Sequence, residues 1–261
     1  MPLISALSYN IHECVGWDGR RDPCRIADVI KESRADIVGL QEVHSESDGR
    51  VESHQMNYLV SCCGMQAVPG GFLMRRNGKY GNVLLTKFKI LNVERLDLTM
   101  PGREPRGAID ADLEIGGEAV RVIVTHLGLR PSERRFQVAR LLDALSVERT
   151  RMVILLSDIN EWLPRGRPLR WLEARFGKNK LMKTFPSPFP LFGLDRIWVS
   201  PPSALVDVSC LRTPLTRVAS DHIPLIAKIR TPEAEISEAF HSRGSGRESS
   251  IAEARLPSSR K

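Results

Sequence analysis

Apolar positions recur along the first 230 residues in two rhythms. Leu3 to Tyr9 is an apolar, partly alternating run, as expected of a strand. Asp22-Pro23 then offers an N-cap followed by a proline in the first turn, and Ile26, Val29 and Ile30 repeat at helical spacing, predicting a helix over 23–33. Asp36 to Leu40 is a second strand, and strand–helix–strand of this size predicts a crossover between parallel neighbours. Further on, His54 to Cys63 predicts a helix. Gln66–Pro69, Gly81–Leu85, Ile90–Leu96, Ala108–Ile115 and Ala119–Thr125 predict strands, with Gly116-Gly117 as a hairpin turn. Ser132 to Glu148 predicts a helix with Phe136, Ala139, Leu142 and Leu145 on its buried stripe. A strand over Arg151–Leu156, a helix over Pro168–Phe176 and strands at Ile197–Val199, Leu205–Cys210 and Pro224–Ile229 complete the series. Between them, 177–193 is a long loop with three prolines. The mixture predicts an α/β fold, a two-sheet α/β sandwich with flanking helices, over residues 1–230. From Thr231 the composition turns to Ser, Glu, Arg and Gly, so 231–261 is expected to be a disordered tail.

Polar residues interrupt these runs at matching places. The strands end in Asn10, in Gln41-Glu42, in Thr125-His126 and in Ser157-Asp158-Ile159-Asn160; Asp195 and Ser220-Asp221-His222 precede others. Taken singly, each is unremarkable: Asp158 and Asn160 suit a turn, Glu42 an exposed carboxylate, Asp221-His222 a cap. Met152 to Leu156, by contrast, is an apolar run that would fix Asp158 and Asn160 at the lip of a sheet. If the chain stays extended past Leu156, both side chains face one way and Ile159 points into the core. If all these ends share one edge, Glu42, Asp158, Asp195 and Asp221 repel one another unless a cation intervenes. Hard oxygen donors without thiolates indicate Mg²⁺ or Mn²⁺, one or two ions, and hence metal-assisted phosphoester hydrolysis. His12, His44 and His54 are expected to be solvated.

Composition narrows the setting. Of 261 residues, 42% are hydrophobic and 26% charged, enough for a core without disulfides. The five cysteines show no CxxC spacing, which argues against structural zinc and for a reducing compartment. The N-terminus reads as a first strand rather than a signal peptide, and no stretch approaches the about 20 apolar residues of a membrane span. A cytoplasmic monomer with no obligate protein partner is expected. Net charge is +7, and because the tail carries five basic and five acidic residues the excess lies in the folded part. A basic body suits a polyanionic partner. After Asn160, Arg165, Arg167, Arg170, Lys178, Lys180 and Lys183 interleave with Trp162, Phe185, Phe189 and Phe192. That mixture suits nucleic acid or a phospholipid headgroup, and equally a solvated basic face over buried aromatics.

The ordered words YNIH (9–12), DIVGLQEV (36–43), GNVLLT (81–86), EPRGAI (104–109), THLG (125–128), LSDIN (156–160), LDRIWV (194–199) and SDHIPL (220–225) resemble the endonuclease/exonuclease/phosphatase superfamily, the deoxyribonuclease I-like fold, particularly bacterial members of unassigned substrate. The resemblance spans residues 3–230. It implies that Glu42 and Asp221 bind metal with Asn10 beside them, and that His222 is the catalytic histidine with Asp195 as its orienting partner. It also implies that Asp158 and Asn160 position water and scissile phosphate, and that His126 contacts the phosphate or leaving oxygen. Arg106 suits a phosphate contact or a structural role alike. Two departures stand out. Ser157 and Ile159 replace the usual Gly and Phe around Asp158, and His12 stands where DNA-repair members carry an acidic residue. No carboxylate that would orient His126 is evident. The activity implied is that of a phosphodiesterase or nuclease, with a phospholipid or inositol-phosphate hydrolase as the alternative and a silent binding module a distant third.

Overall fold

The computed structural model describes residues 2–46, 54–70, 73–75 and 78–231. The predicted tail from residue 232 onward lies outside the described residues. Two mixed sheets pack face to face. The first holds β1 (Leu3–Asn10), β2 (Ile37–Glu46), β3 (Gln66–Pro69), β4 (Leu73–Arg75), β5 (Gly78–Thr86), β11 (Leu205–Cys210) and β12 (Leu225–Arg230). Its order is β11-β12-β1-β2-β5-β3, with β4 also paired to β5. The second has the order β10-β9-β8-β7-β6, formed by β6 (Lys89–Asp97), β7 (Gly107–Ile115), β8 (Glu118–His126), β9 (Met152–Asp158) and β10 (Asp195–Ser200). β1 and β2 run parallel, as the crossover predicts, with α1 (Pro23–Ser33) between them. Asp22 caps α1 by accepting from the Cys24 and Arg25 amides, and Pro23 opens it.

Strand parity explains both the core and the site. On β9, Met152, Ile154 and Leu156 face the other sheet, while Val153 and Leu155 face α3 (Pro131–Ser146) and α4 (Arg167–Phe176). On β8, Val120, Val122 and Val124 face inward; on β10, Ile197 and Val199; on β1, Ile4 and Ala6. The opposite face of the first sheet, with Leu7, Tyr9, Val38 and Leu40, is covered by α1 and α2 (Gln55–Cys63). Side chains alternate along a strand. Continuing the inward series by one step therefore gives Asn10 through Ser8, His126, Asp158 and Asp195. The polar residues cap the intersheet core at one end. The sheets come close there, since a Cβ on Gly39 would fall 2.8 Å from the Leu156 Cβ.

The predicted stripe on α3 needs correction. Ala139 is exposed and Phe136 and Leu142 are half-buried, whereas Glu133, Arg134, Gln137, Val138, Leu141 and Leu145 are buried. The buried face is polar in its first half because it ties down the chain after β8. Gln137 accepts the Gly128 N–H (2.8 Å), and Arg134 pairs with the buried Glu161 (3.2 Å).

Candidate active site

Three site residues stand in one row: across the second sheet His126 pairs with Asp158 and Asp158 with Asp195. All three are buried, at 6%, 1% and 1% exposure. Asp195 Oδ2 lies 2.8 Å from His222 Nδ1, which fixes the ring so that its Nε2 faces Asp158 Oδ2 at 3.8 Å. Ser220 sets the approach of that segment, because its hydroxyl donates to the Asn10 carbonyl (2.8 Å) and accepts the His222 N–H (3.3 Å). From the first sheet, the Asn10 amide donates to Glu42 Oε1 (3.1 Å) and to Asp158 Oδ2 (3.0 Å). Asn10 Oδ1 accepts the His12 N–H (3.0 Å), so the orientation of the amide is fixed. One side chain thus bridges the two sheets.

Two site residues adopt left-handed backbone conformations: Glu42 at φ 59° and Asn160 at φ 49°. At Glu42 the β2–β5 ladder breaks between Leu40 and Val43, a bulge that aims Glu42 at Asn10 while Gln41 reaches Ser8 beneath. At Asn160 the extended geometry expected past Leu156 does not persist. Asp158 Oδ1 accepts the Asn160 N–H at 2.9 Å and closes a turn. Ile159 is nevertheless buried under α3 and α4, as expected. The turn and the site are one object: the same carboxylate closes the backbone with one oxygen and faces Asn10 and His222 with the other.

His126 has two carboxylates near it, Asp158 at 3.6 Å and Glu42 at 3.9 Å from Nε2. Its Nδ1 lies 3.2 Å from the Arg106 guanidinium and its Nε2 2.9 Å from the Asn160 amide nitrogen, which also donates to the Leu127 carbonyl (2.9 Å). An uncharged imidazole accepts at one nitrogen only, so Arg106 and Asn160 compete for it. Arg106 also pairs with Glu104 at 2.8 Å. A narrow cleft is lined by Glu42, Asn82, Arg106 and His126 among others. Asn82 escaped the sequence reading although it sits in GNVLLT. It is buried on the inward face of β5 and donates to the Gly107 carbonyl at 3.0 Å. Phe185, whose ring centroid is 5.0 Å from that of His222, forms part of the wall.

Electrostatics separate the two central groups. Burial and the charge of Asp195 push the Asp158 carboxyl up to about 7, against the opposing pull of His222 and of the Asn10 and Asn160 hydrogen bonds. Burial pulls the His222 imidazole down, but Asp195, by charge and hydrogen bond, and then Asp158 and Asp221 outweigh it and push it up to about 10. No Lys or Arg lies within 4.0 Å of the Glu42, Asp158, Asp195 or Asp221 carboxylates among the described residues. Ligand atoms of Asp158, Asp195 and His222 all lie within 4.8 Å of one another. Glu42 and Asp221 lie outside that group, and the Ser220 hydroxyl donates to Asp221 Oδ1 at 3.3 Å. Of the histidines expected to be solvated, His44 is instead buried, 3.5 Å from Glu13, whereas His12 is partly exposed and 3.9 Å from Asp221.

The model of the Endonuclease/Exonuclease/phosphatase family matches residues 7–222. The chain belongs to that family of hydrolases, and its fold is the fold of that family. YbhP of Escherichia coli (strain K12) is 30% identical over 243 residues, 85% of this chain and 94% of that one. Among solved structures, the endonuclease/exonuclease/phosphatase from Bacteroides vulgatus superposes with a TM-score of 0.73 at 17% identity, covering 89% of this chain and all of that one. The human Nocturnin catalytic domain, solved with a bound sulfate anion, gives 0.65 at 24% identity over 87% of this chain and 93% of that one. No helix among the described residues is long and apolar enough to cross a membrane.

Proposed function

We propose that the chain hydrolyses a phosphodiester with the help of Mg²⁺ or Mn²⁺. The observation that carries this reading is charge imbalance: four carboxylates converge with histidines and no Lys or Arg within 4.0 Å among the described residues. Such a donor set fits a hard cation. Glu42 and Asp221, the two more exposed carboxylates, would hold it, with Asn10 steadying Glu42. When bound, the ion would supply Lewis-acid charge to a non-bridging phosphate oxygen.

The remaining work falls to the chain's own side chains. With its acidity weakened by Asp195, His222 favours the imidazolium form. In that form it serves as a hydrogen-bond donor and positive charge toward the phosphate. Asp158, poised near 7, takes the proton of the attacking water. Its Oδ1 is held by the Asn160 N–H, and its Oδ2 lies between Asn10 and His222. Arg106 and Asn160, competing for one imidazole, gain an acceptor each when an anion enters beside His126. The test is hydrolysis of bis(p-nitrophenyl) phosphate with Mg²⁺, with Mn²⁺ and with EDTA. The expected result is turnover that chelation abolishes and readdition restores. Full activity in EDTA would overturn the metal reading, and an unchanged rate in His222→Ala would remove that residue from the reaction.

A further inference from the structure

Large apolar side chains stand in water on the segments that adjoin the site residues. Three chain segments leave the second sheet at the edge where His126, Asp158 and Asp195 stand in a row: 127–130, 159–167 and 177–194. On them Leu129 is 64% exposed, Leu163 66%, Phe189 79% and Leu191 61%. Between the mouth and these tips runs an aromatic path. Phe185 packs on His222, and Trp162 meets Phe185 at 5.7 Å and Phe192 at 4.8 Å between centroids. On the other side, next to Ser220-Asp221-His222, the segment 211–219 exposes Val218, and the Val218 carbonyl accepts the N–H of the exposed Trp17 at 3.0 Å.

The most exposed ring is held out rather than loose. Phe185 and Phe192 pair as an isolated bridge, with the Leu191 and Phe192 N–H groups both donating to the Phe185 carbonyl at 2.8 Å. Pro186, Pro188 and Pro190 stiffen the loop so formed, and Ser187 anchors it to the site, its N–H on the Asp221 carbonyl (2.8 Å) and its hydroxyl on that of Ser220 (2.7 Å). Phe189 is thus presented at a fixed tip. Charge accompanies the apolar ring. The four segments carry eight Arg and Lys, all exposed, and one carboxylate, Glu161, which is buried against Arg134.

We propose that this rim seats the catalytic mouth on an anionic phospholipid bilayer, Phe189, Leu191 and Leu163 entering the headgroup boundary. An exposed apolar patch beside a basic surface matches what such an interface rewards, namely burial of apolar tips and attraction of cations to the anionic leaflet. A nucleic acid would reward the basic residues and the rings, but Leu129, Leu163 and Leu191 have no face on which a base stacks. The inference rests on the phosphodiester reading only in making a lipid headgroup the substrate; docking itself requires no turnover.

The test is flotation of the full chain with vesicles of phosphatidylglycerol and phosphatidylcholine, beside vesicles of phosphatidylcholine alone. Wild type is expected to float with the anionic vesicles, and high salt to weaken this. The double variant Phe189→Ser, Leu191→Ser is expected to lose roughly tenfold or more in apparent vesicle affinity with its melting temperature unchanged, since both side chains lie in water. Asp158→Asn is expected to float as wild type does, which keeps docking distinct from catalysis. Absence of flotation with anionic vesicles, or equal flotation of the double variant, overturns the proposal. So does release of wild type from vesicles by a single-stranded oligonucleotide that binds the double variant as tightly, because the basic residues alone would then explain the surface.

Discussion

Two buried charge clusters sit in the second sheet, and only one is balanced. At Asp110 and Arg121, with 0% and 3% exposure, the guanidinium meets the carboxylate through two bonds of 2.9 and 2.6 Å. Its other N–H groups donate to the Val147 and Ala144 carbonyls, both at 3.0 Å, and Arg149 stands by at 2.7 Å. Each nitrogen of Arg121 and each oxygen of Asp110 has a partner. At Asp158, Asp195 and His222, two carboxylates share one imidazole, and the buried Asp195 Oδ1 has no hydrogen-bond partner among the described residues. Side chains of one chemical kind, equally buried, therefore play opposite parts. The balanced cluster offsets its own desolvation and supports the fold. The unbalanced one holds negative charge that no Lys or Arg among the described residues neutralises, which weakens the acidity of Asp158 and His222.

Substitution should divide the clusters cleanly. The largest effect is expected from Asp158→Asn, which should lower the hydrolysis rate roughly 100- to 10,000-fold. It should leave thermal stability equal or higher, since it removes one of the crowded carboxylates. Next, Asp110→Ala leaves Arg121 buried without its carboxylate and should cost about 3–5 kcal/mol in denaturant unfolding. Turnover per folded molecule should be retained. If Asp110→Ala abolished turnover without unfolding, or Asp158→Asn unfolded the chain, the distinction would collapse.

A smaller effect sharpens the comparison through pH. Both groups are more basic in the folded protein than in an unfolded chain. The stability Asp158 contributes is complete below its ordinary 3.8 and is lost as pH rises through about 7; that of His222 is complete below 6.5 and is lost toward about 10. In EDTA the melting temperature should therefore fall from about pH 4 to about pH 10, and Asp158→Asn should flatten the part of the decline below about pH 7. The Asp110 pair should add nothing to it, because Arg121 is pushed up from an already high value and stays charged throughout. A steeper decline in Asp158→Asn would contradict the assignment. The smallest effect is expected from Arg106→Lys, which keeps the charge but removes the guanidinium fork beside His126 and should weaken substrate binding several-fold in KM with kcat little changed.

Much of this architecture was legible in the chain because strand parity carries both core and site. Once Met152 to Leu156 is a strand, Asp158 is the next inward position, and the same counting along β8 and β10 yields His126 and Asp195. Parity fails where the backbone leaves it. Glu42 reaches Asn10 only through a bulge, and Asn160 turns left-handed, so neither orientation follows from alternation. Asn82 was missed because one polar residue inside GNVLLT gives no signal without the neighbouring β7 backbone that receives it. The face of α3 was misjudged for a related reason: Glu133, Arg134 and Gln137 are buried by partners distant in sequence, or set by the turn before the helix, and a count of apolar residues does not find them. The aromatics after Asn160, readable as core or as surface, divide: Phe185 lines the site while Phe189 stands in water.

The most direct test of the central claim is a Mn²⁺ titration followed by electron paramagnetic resonance, with wild type beside the double variant Glu42→Gln, Asp221→Asn. The proposed site at Glu42 and Asp221, beside the unbalanced cluster, predicts saturable binding of one or two ions to wild type, competed by Mg²⁺ and lost in the variant together with hydrolysis. Wild type that binds no Mn²⁺, or a variant that binds it as tightly, would contradict the claim that these carboxylates await a metal.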